Sequence, residues 1–511
     1  MNKTSSIGSA AITLTIFGLI GKVTGFFREV LFANYFGLSR EYEFYLVASV
    51  FPIILNSIAL YIYQNYFIPS YSKRENLGTE YAVIFSRKTF LNSVFIAIVS
   101  CLLLILLRNP ILKIYLGDKL ISYKTELLFI VFSCTVPLSI ISGFLIAYLQ
   151  TQSNFKSPAM AALSLNIFTI VFLIIFKETN IIYIAFSYLL GTIVQMIILL
   201  RVSHILNLFR IKYSIDQVNN KIFHPSILWI VLIEVVGQFY ILSDRYFLSI
   251  VDEGGIAAIN YASTIFLLPI SIITLSFSTA ILPKFSQLAA EHSYSELKEK
   301  LCTAMINLSL IFIPVSLIFI FWGREIVMIF FERGNFSASS TELTYEVLFY
   351  LSISLLFYSL YSILNKLFYV FDIVRTLFII TLIGIAVKVS LNFILVEPFK
   401  QNGLAIATTV SYFVFFILSI IVIQFQNKVI QLDKISKKLI IYLINGLISC
   451  LMVSTLFTAI SSGSFFFDII KIILFFLIYF INNQLLNDKY QLALQNEILK
   501  VLSIKIFKKE T

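Results

Sequence analysis

The chain has 511 residues, of which 59% are hydrophobic and only 13% are charged, and its mean hydropathy is +0.93. A soluble protein of this length cannot bury so much apolar surface, so lipid must be the solvent for much of the chain. The formal net charge of +11 does not indicate nucleic-acid binding, because the basic residues are spread over many short loops instead of one patch. We expect these loops to meet anionic lipid headgroups.

Apolar stretches of membrane-spanning length recur along the whole chain. They predict an all-α polytopic membrane protein with about fourteen transmembrane helices. The first stretch contains Lys22 and Arg28 and lacks a small-residue cleavage site, so we predict a retained helix instead of a signal peptide. In chain order, the predicted spans are 8–35, 43–69, 90–107, 126–149, 157–176, 180–200, 225–250, 257–283, 303–331, 343–370, 376–397, 402–424, 439–459 and 464–483.

The basic residues of the short loops predict the orientation of these spans. Lysine and arginine are concentrated at both termini and in the even-numbered connections, which the positive-inside rule assigns to the cytoplasm. Both termini are therefore predicted to be cytoplasmic. Two segments on that side, Phe285–Leu301 and Asp488–Lys509, alternate apolar and charged residues near helical spacing and predict helices lying on the membrane surface, although the first has the composition of an ordinary solvated connector as well.

The chain also repeats itself. A proline follows 24 residues after Arg28 and again 24 residues after Arg245, and a glycine predicted to form a turn follows nine residues after each arginine. These four positions are Pro52, Pro269, Gly37 and Gly254. Later, residues 164–168 are echoed by residues 390–394, which aligns Asn166 with Asn392. The repeat predicts two pseudo-symmetric six-helix lobes, 1–212 and 213–427, with the site between them, followed by two additional helices and an amphipathic tail in 428–511.

Charged residues inside the spans are the candidates for function. Arg28-Glu29 lies in the first span, with Lys22 before it, and Asp244-Arg245 lies in the seventh. A charge at this depth is costly unless it faces a partner or a wet cavity. Guanidinium groups match phosphate oxygens, so two repeat-related arginines predict a cavity for an anion such as a pyrophosphate. Glu29 would pair with Arg28 while the cavity is empty and release it when phosphate arrives.

The other polar features permit more than one interpretation. Glu234 lies ten residues before Asp244 on nearly the same helix face and is a candidate proton or cation site, although all these charges could instead pair within the bundle. Pro52 and Pro269 are candidate hinges or simple packing kinks. Three scattered histidines and four separated cysteines predict no metal site, and the chain lacks a phosphate-loop motif for ATP. We therefore predict a transporter, not an enzyme, without a cofactor and driven by H⁺, Na⁺ or the membrane potential.

Several of these residues lie in motifs that resemble the MurJ/MviN family of murein lipid II flippases, within the multidrug/oligosaccharidyl-lipid/polysaccharide exporter superfamily. The matching segments are 25–29, 44–48, 51–52, 243–247, 281–283, 331–336 and 402–404. The resemblance implies alternating access that carries an undecaprenyl-pyrophosphate-linked glycan from the inner to the outer leaflet of the bacterial cytoplasmic membrane. It implies cavity roles for Arg28, Glu29 and Arg245, with Lys22 at a usually basic position and Glu43 at a usually acidic one.

Two departures from the family pattern leave the cargo open. Where the family usually places further arginines, this chain has Asn56-Ser57 and Ser263-Thr264, so its cavity is expected to be less basic. Lipid II for peptidoglycan synthesis is the favoured cargo, and an O-antigen, capsule or exopolysaccharide unit is the alternative. A cation-coupled multidrug exporter is a further alternative. Besides the lipid-linked glycan and membrane lipids, the cell-wall or polysaccharide synthesis machinery is a candidate partner, and a monomer is expected because one chain supplies both lobes.

Overall fold

The computed structural model describes residues 3–117, 121–176, 180–209, 225–247, 250–458, 465–493 and 495–496, and every regular element in these ranges is helical. The α-helices are α1 Lys3–Phe36, α2 Arg40–Ile62, α3 Ile68–Leu77, α4 Thr79–Leu106, α5 Arg108–Leu116, α6 Tyr123–Thr151, α7 Lys156–Phe176, α8 Ile181–Ser203, α9 Pro225–Tyr246, α10 Gly255–Pro269, α11 Leu275–Ala290, α12 Tyr294–Phe321, α13 Gly323–Phe331, α14 Ala338–Ile353, α15 Leu355–Val370, α16 Val374–Asn427, α17 Leu432–Thr458 and α18 Phe465–Leu485.

Among the described residues, every predicted span lies mainly on one or two helices, which confirms the all-α polytopic membrane fold. Within the described ranges, ten helices are long and apolar enough to cross a membrane, or eleven if α14 and α15, bent by 47°, form one span. The helix α16 has 54 residues and covers two predicted spans. Its backbone is non-helical at Lys400 (φ 51°, ψ −129°), and this kink divides it into two helical parts.

Burial along the helices separates core helices from lipid-facing ones. In the most apolar 18-residue stretch of α6, 67% of the residues are buried. In the corresponding stretch of α4, only 17% are buried. Large apolar side chains on α4, such as Phe95 (69% exposed), face outward. An exposed apolar helix of this kind is stable only in lipid, so the burial pattern agrees with the membrane assignment.

The chain divides by its contacts into two compact units. The first comprises residues 1–261, 331–340 and 392–401, and the second comprises 262–330, 341–391 and 402–511. The predicted lobes are defined by an internal repeat and not by contacts, so their boundaries stay a prediction.

The turns at Gly37 and Gly254 are confirmed. Both residues adopt the left-handed backbone that favours glycine, with φ of 53° and 86°, and each lies between two helices. A third left-handed glycine, Gly334 (φ 56°), packs so closely on the end of α1 that an added Cβ would overlap the carbonyl oxygen of Asn34. Beside it, Asn335 donates its backbone N–H to the same oxygen at 2.8 Å, which fastens segment 332–337 to α1.

A π-helical segment follows each of the two candidate hinge prolines. The helix α2 continues through Pro52 and passes into the π-segment Tyr63–Phe67, and Pro269 ends α10 directly before the π-segment Ile270–Thr274. Such segments widen the helix locally and are frequent at functional sites. The hinge roles of Pro52 and Pro269 stay predictions.

The prediction of one surface helix over Phe285–Leu301 is wrong. The helix α11 ends at Ala290, His292 takes a left-handed conformation (φ 54°), and α12 begins at Tyr294. The amphipathic pattern therefore joins the end of one helix to the start of the next.

The predicted tail helix begins at an anchored aspartate. The Asp488 carboxylate is buried, forms an ion pair with Lys438, and accepts hydrogen bonds from the Tyr442 hydroxyl (3.1 Å) and the backbone N–H groups of Tyr490 and Gln491. Burial alone would raise the pKa of this carboxyl, but the hydrogen bonds and the Lys438 charge hold its pKa below the usual value. Residues 494 and 497–509 of the predicted tail lie outside the described residues.

Candidate substrate-binding site

The predicted pair Arg28-Glu29 forms an ion pair on α1. The Arg28 guanidinium donates to Glu29 Oε1 from Nη2 at 2.6 Å and from Nε at 3.2 Å, and its Nη1 donates to Asn166 Oδ1 of α7 at 3.1 Å. The Arg28 side chain is 26% exposed and that of Glu29 is 10% exposed. Arg28 is thus held on two sides, by a carboxylate and by an amide, while its side chain as a whole stays partly exposed.

The second carboxylate oxygen of Glu29 connects α1 to two other helices. Its Oε2 accepts a hydrogen bond from the Tyr42 hydroxyl of α2 at 2.7 Å and from Asn260 Nδ2 of α10 at 3.2 Å. The Asn260 amide also contacts the Tyr42 hydroxyl at 3.1 Å. Three helices therefore meet at one buried carboxylate.

Arg245, the repeat partner of Arg28, reaches the same amide from α9. Its Nη2 donates to Asn260 Oδ1 at 3.3 Å and its Nη1 to the Ile256 carbonyl at 3.4 Å. Its Nε is buried without a hydrogen-bond partner. A continuous set of hydrogen bonds thus runs from Arg28 through Glu29 and Asn260 to Arg245, and we call these four residues the arginine network.

Asp244 points to a different helix. Its Oδ1 accepts a hydrogen bond from Asn392 Nδ2 of α16 at 3.2 Å. Asn392 is the repeat partner of Asn166, which accepts from Arg28. Asn166 therefore binds the charged pair of the first predicted span, and Asn392 binds that of the seventh. The two halves of the repeat thus use equivalent asparagines.

Glu43 forms the N-terminal cap of α10. Its side chain is fully buried, its Oε2 lies 2.8 Å from Arg40 Nη1, and its Oε1 accepts from the backbone N–H groups of Ile256 (2.8 Å) and Ala257 (3.4 Å). A carboxylate at this place satisfies N–H groups that the helix leaves unpaired and interacts favourably with the helix dipole. The structure thus pairs Glu43 with Arg40 of the same helix, and a role of Glu43 in ion coupling stays a prediction.

The remaining predicted residues lie outside the arginine network. Lys22 is exposed on α1, six residues before Arg28. Glu234 Oε1 accepts a hydrogen bond from Gln238 Nε2 at 2.6 Å within α9. Neither placement tests the role that the sequence suggested, so Lys22 as a phosphate ligand and Glu234 as an ion site stay predictions.

Two residues of the site were not predicted from the sequence, namely Tyr42 and Asn260. A signal for Asn260 existed, because it lies 217 residues after Glu43, the offset that also relates Arg28 to Arg245. Glu43 on α2 caps α10, and Asn260 on α10 binds Glu29 and Tyr42. The repeat therefore marks a reciprocal contact between these helices, whereas Tyr42 carried no comparable signal.

Comparison with known proteins decides the family. A family model described as lipid II flippase MurJ matches residues 32–476, which is most of the chain. The chain belongs to the MurJ lipid II flippase family. Among similar proteins, the probable lipid II flippase MurJ of Buchnera aphidicola subsp. Schizaphis graminum is 26% identical over 434 residues, covering 81% of this chain and 82% of that protein. The lipid II flippase MurJ of Thermosipho africanus is 26% identical over 414 residues, covering 80% and 83%, respectively.

Solved structures show the same fold. A structure described as lipid II flippase MurJ in an inward closed conformation superposes with a TM-score of 0.76 at 22% identity, over 93% of this chain and 99% of that one. An inward-facing multidrug resistance MATE family transporter of the MOP superfamily gives a TM-score of 0.64 at 15% identity, over 82% of this chain and 98% of that one. The resemblance of the sequence to the MurJ family is confirmed by the family model, and the solved structures show that the fold is shared.

Proposed function

We propose that this protein is a lipid II flippase, which moves the undecaprenyl-pyrophosphate-linked peptidoglycan precursor from the inner to the outer leaflet of the bacterial cytoplasmic membrane. Membership of the MurJ family supports the cargo class. The observation that carries the proposal for this chain is the arginine network, in which two repeat-related guanidinium groups are joined through one carboxylate and one amide.

The network has the properties of an anion site whose place is held by Glu29. The Glu29 carboxylate occupies the guanidinium face of Arg28 that would otherwise bind phosphate, and Arg245 donates to two neutral acceptors while its Nε has no partner. Hydrogen bonds between guanidinium and phosphate are charge-assisted and stronger than those to neutral acceptors. A pyrophosphate therefore gains by accepting from the unpaired Nε of Arg245, by replacing the Ile256 carbonyl at its Nη1, and by competing with Glu29 for Arg28.

This competition suggests how cargo binding changes the protein. Glu29 also binds Tyr42 and Asn260, so a phosphate that removes Glu29 from Arg28 alters the contact of α1 with α2 and α10. Alternating access requires such a contact to be weaker in the loaded state than in the empty one. We propose that Arg28 and Arg245 bind the pyrophosphate and that Glu29 is the exchangeable partner. We further propose that Asp244 or Glu234 couples transport to H⁺ or Na⁺. The alternative is transport driven by the membrane potential.

Complementation tests the cargo. The protein is expressed in a bacterium whose own lipid II flippase can be depleted, and outer-leaflet lipid II is measured with a lipid II-cleaving enzyme that acts only from outside. We expect growth and outer-leaflet lipid II to be restored. A different result would point to another cargo. If outer-leaflet lipid II stays absent, and if deletion of the gene in the native host removes a surface polysaccharide, the cargo is the lipid-linked precursor of that polysaccharide.

A further inference from the structure

Asn260 is the one neutral member of the arginine network and lies between its charged members. Its Oδ1 accepts from Arg245 Nη2 at 3.3 Å, and its Nδ2 lies 3.2 Å from Glu29 Oε2 and 3.1 Å from the Tyr42 hydroxyl. The orientation of the amide follows from its neighbours, because a guanidinium only donates and a carboxylate only accepts hydrogen bonds. Asn260 therefore bonds to an anion with one end and to a cation with the other.

An amide is the side chain that these neighbours require. Aspartate would place a second negative charge beside Glu29, and leucine would remove one of the two hydrogen bonds to Glu29 Oε2 and leave Arg245 Nη2 without its amide acceptor. Both changes are unfavourable where water is scarce.

We infer that Asn260 is a positioning residue for the substrate phosphate. Its amide links the Glu29 carboxylate, which occupies Arg28, to the guanidinium of Arg245. A phosphate that displaces Glu29 from Arg28 frees Glu29 to shift away from Asn260, while the amide keeps its bond to Arg245 Nη2 and holds that guanidinium in place for the same phosphate. Occupation of one arginine thereby prepares the second. This inference rests on the proposed function, since it takes a pyrophosphate lipid as the ligand.

Glu43 and Asn260 occupy equivalent positions in the repeat, but only Asn260 has this positioning role. Glu43 is committed to α10, because its Oε1 accepts from two backbone N–H groups of that helix and its Oε2 lies beside Arg40. Asn260 instead bonds to side chains that the ligand is expected to rearrange, namely Glu29 and Arg245 of the network and the neighbouring Tyr42. One contact of the pair is thus fixed and the other is exchangeable.

The test is a double-mutant cycle on ligand affinity. Lipid II binding to the purified full-length protein is measured for wild type, Asn260→Leu, Glu29→Gln and the double variant. Loss of a hydrogen bond to a charged group predicts about tenfold weaker binding for Asn260→Leu. With Glu29→Gln already present, the charge that Asn260 holds is gone, so the further loss should fall to about threefold or less. Asn260→Gln, which keeps both amide groups, should bind better than Asn260→Leu.

A matched control separates positioning from general stability. Asn402 donates its amide to Glu346 Oε2 at 2.7 Å, so Asn402→Leu removes the same kind of bond away from the arginine network. We expect it to change thermal stability without changing lipid II affinity. Wild-type affinity in Asn260→Leu, or losses that add up fully in the double variant, would overturn the inference. Failure of the wild-type protein to bind lipid II at all would instead overturn the proposed function.

Discussion

Glu43 allows a sharp test of whether an acidic residue near the arginine network is structural or couples ions. We predict that Glu43→Gln lowers the free energy of unfolding. The variant loses the charge that pairs with Arg40 and that faces the N-terminus of α10, while an amide oxygen can still accept from Ile256 N–H. Breaking a fully buried ion pair costs about 3–5 kcal/mol.

The structure reduces that figure. Arg40 is 24% exposed and can regain water once its partner is neutral, so we expect the lost pair to cost about 1–2 kcal/mol, a value between those of buried and surface pairs. Loss of the charge at the helix N-terminus adds about 0.5–1 kcal/mol. The sum is about 1.5–3 kcal/mol, and Glu43→Ala should cost about 1 kcal/mol more because the cap itself is lost.

Denaturant titration of the purified protein in mixed micelles measures this change, and Glu41→Gln is the control. Glu41 lies in the same first turn of α2 and pairs with Lys124 at 2.7 Å, but both side chains are exposed (41% and 51%), so its loss should cost less than about 1 kcal/mol. The reasoning is refuted if Glu43→Gln is as stable as wild type, and above all if it is stable but transport no longer depends on a cation gradient.

Two further predictions concern the fastening of α1 and of the C-terminal segment. Gly334→Ala should destabilise the protein by well over about 1 kcal/mol, because its φ is +56° and the new Cβ would overlap the Asn34 carbonyl; Gly117→Ala, which has a φ of +66° in open space, should cost only about 1 kcal/mol in the same titration. Asp488→Asn should lower stability at neutral pH. The folded-state pKa of Asp488 is lowered, so its contribution to stability is present above the unfolded pKa near 4 and disappears as the pH falls through the folded-state pKa. The melting temperatures of variant and wild type should therefore converge below about pH 4. A difference that stays constant with pH would contradict the assignment.

Much of the helical framework could be predicted from the sequence, because lipid imposes long apolar spans and the repeat marks equivalent positions. Gly37 and Gly254 were located in this way, as were the two arginines that the structure joins. The failures have physical causes. The break between α11 and α12 at His292 lacks the glycine or proline that usually marks a helix end.

The partners within the site were harder to predict. Polar but uncharged residues such as Asn260 and Tyr42 cost little in an apolar helix, so their presence does not by itself indicate function. Their meaning depends on which helices pack together. Glu43 showed the opposite difficulty, because its charge was conspicuous and yet its carboxylate is bound to backbone N–H groups of α10.

The most direct test of the account is the level of outer-leaflet lipid II in a flippase-depleted strain that expresses Arg28→Ala or Arg245→Ala. The account predicts that both variants accumulate in the membrane at wild-type levels and restore no outer-leaflet lipid II, because each removes one of the two guanidinium groups that bind the pyrophosphate. Wild-type outer-leaflet lipid II with either variant would contradict the account and reduce the arginine network to a structural contact.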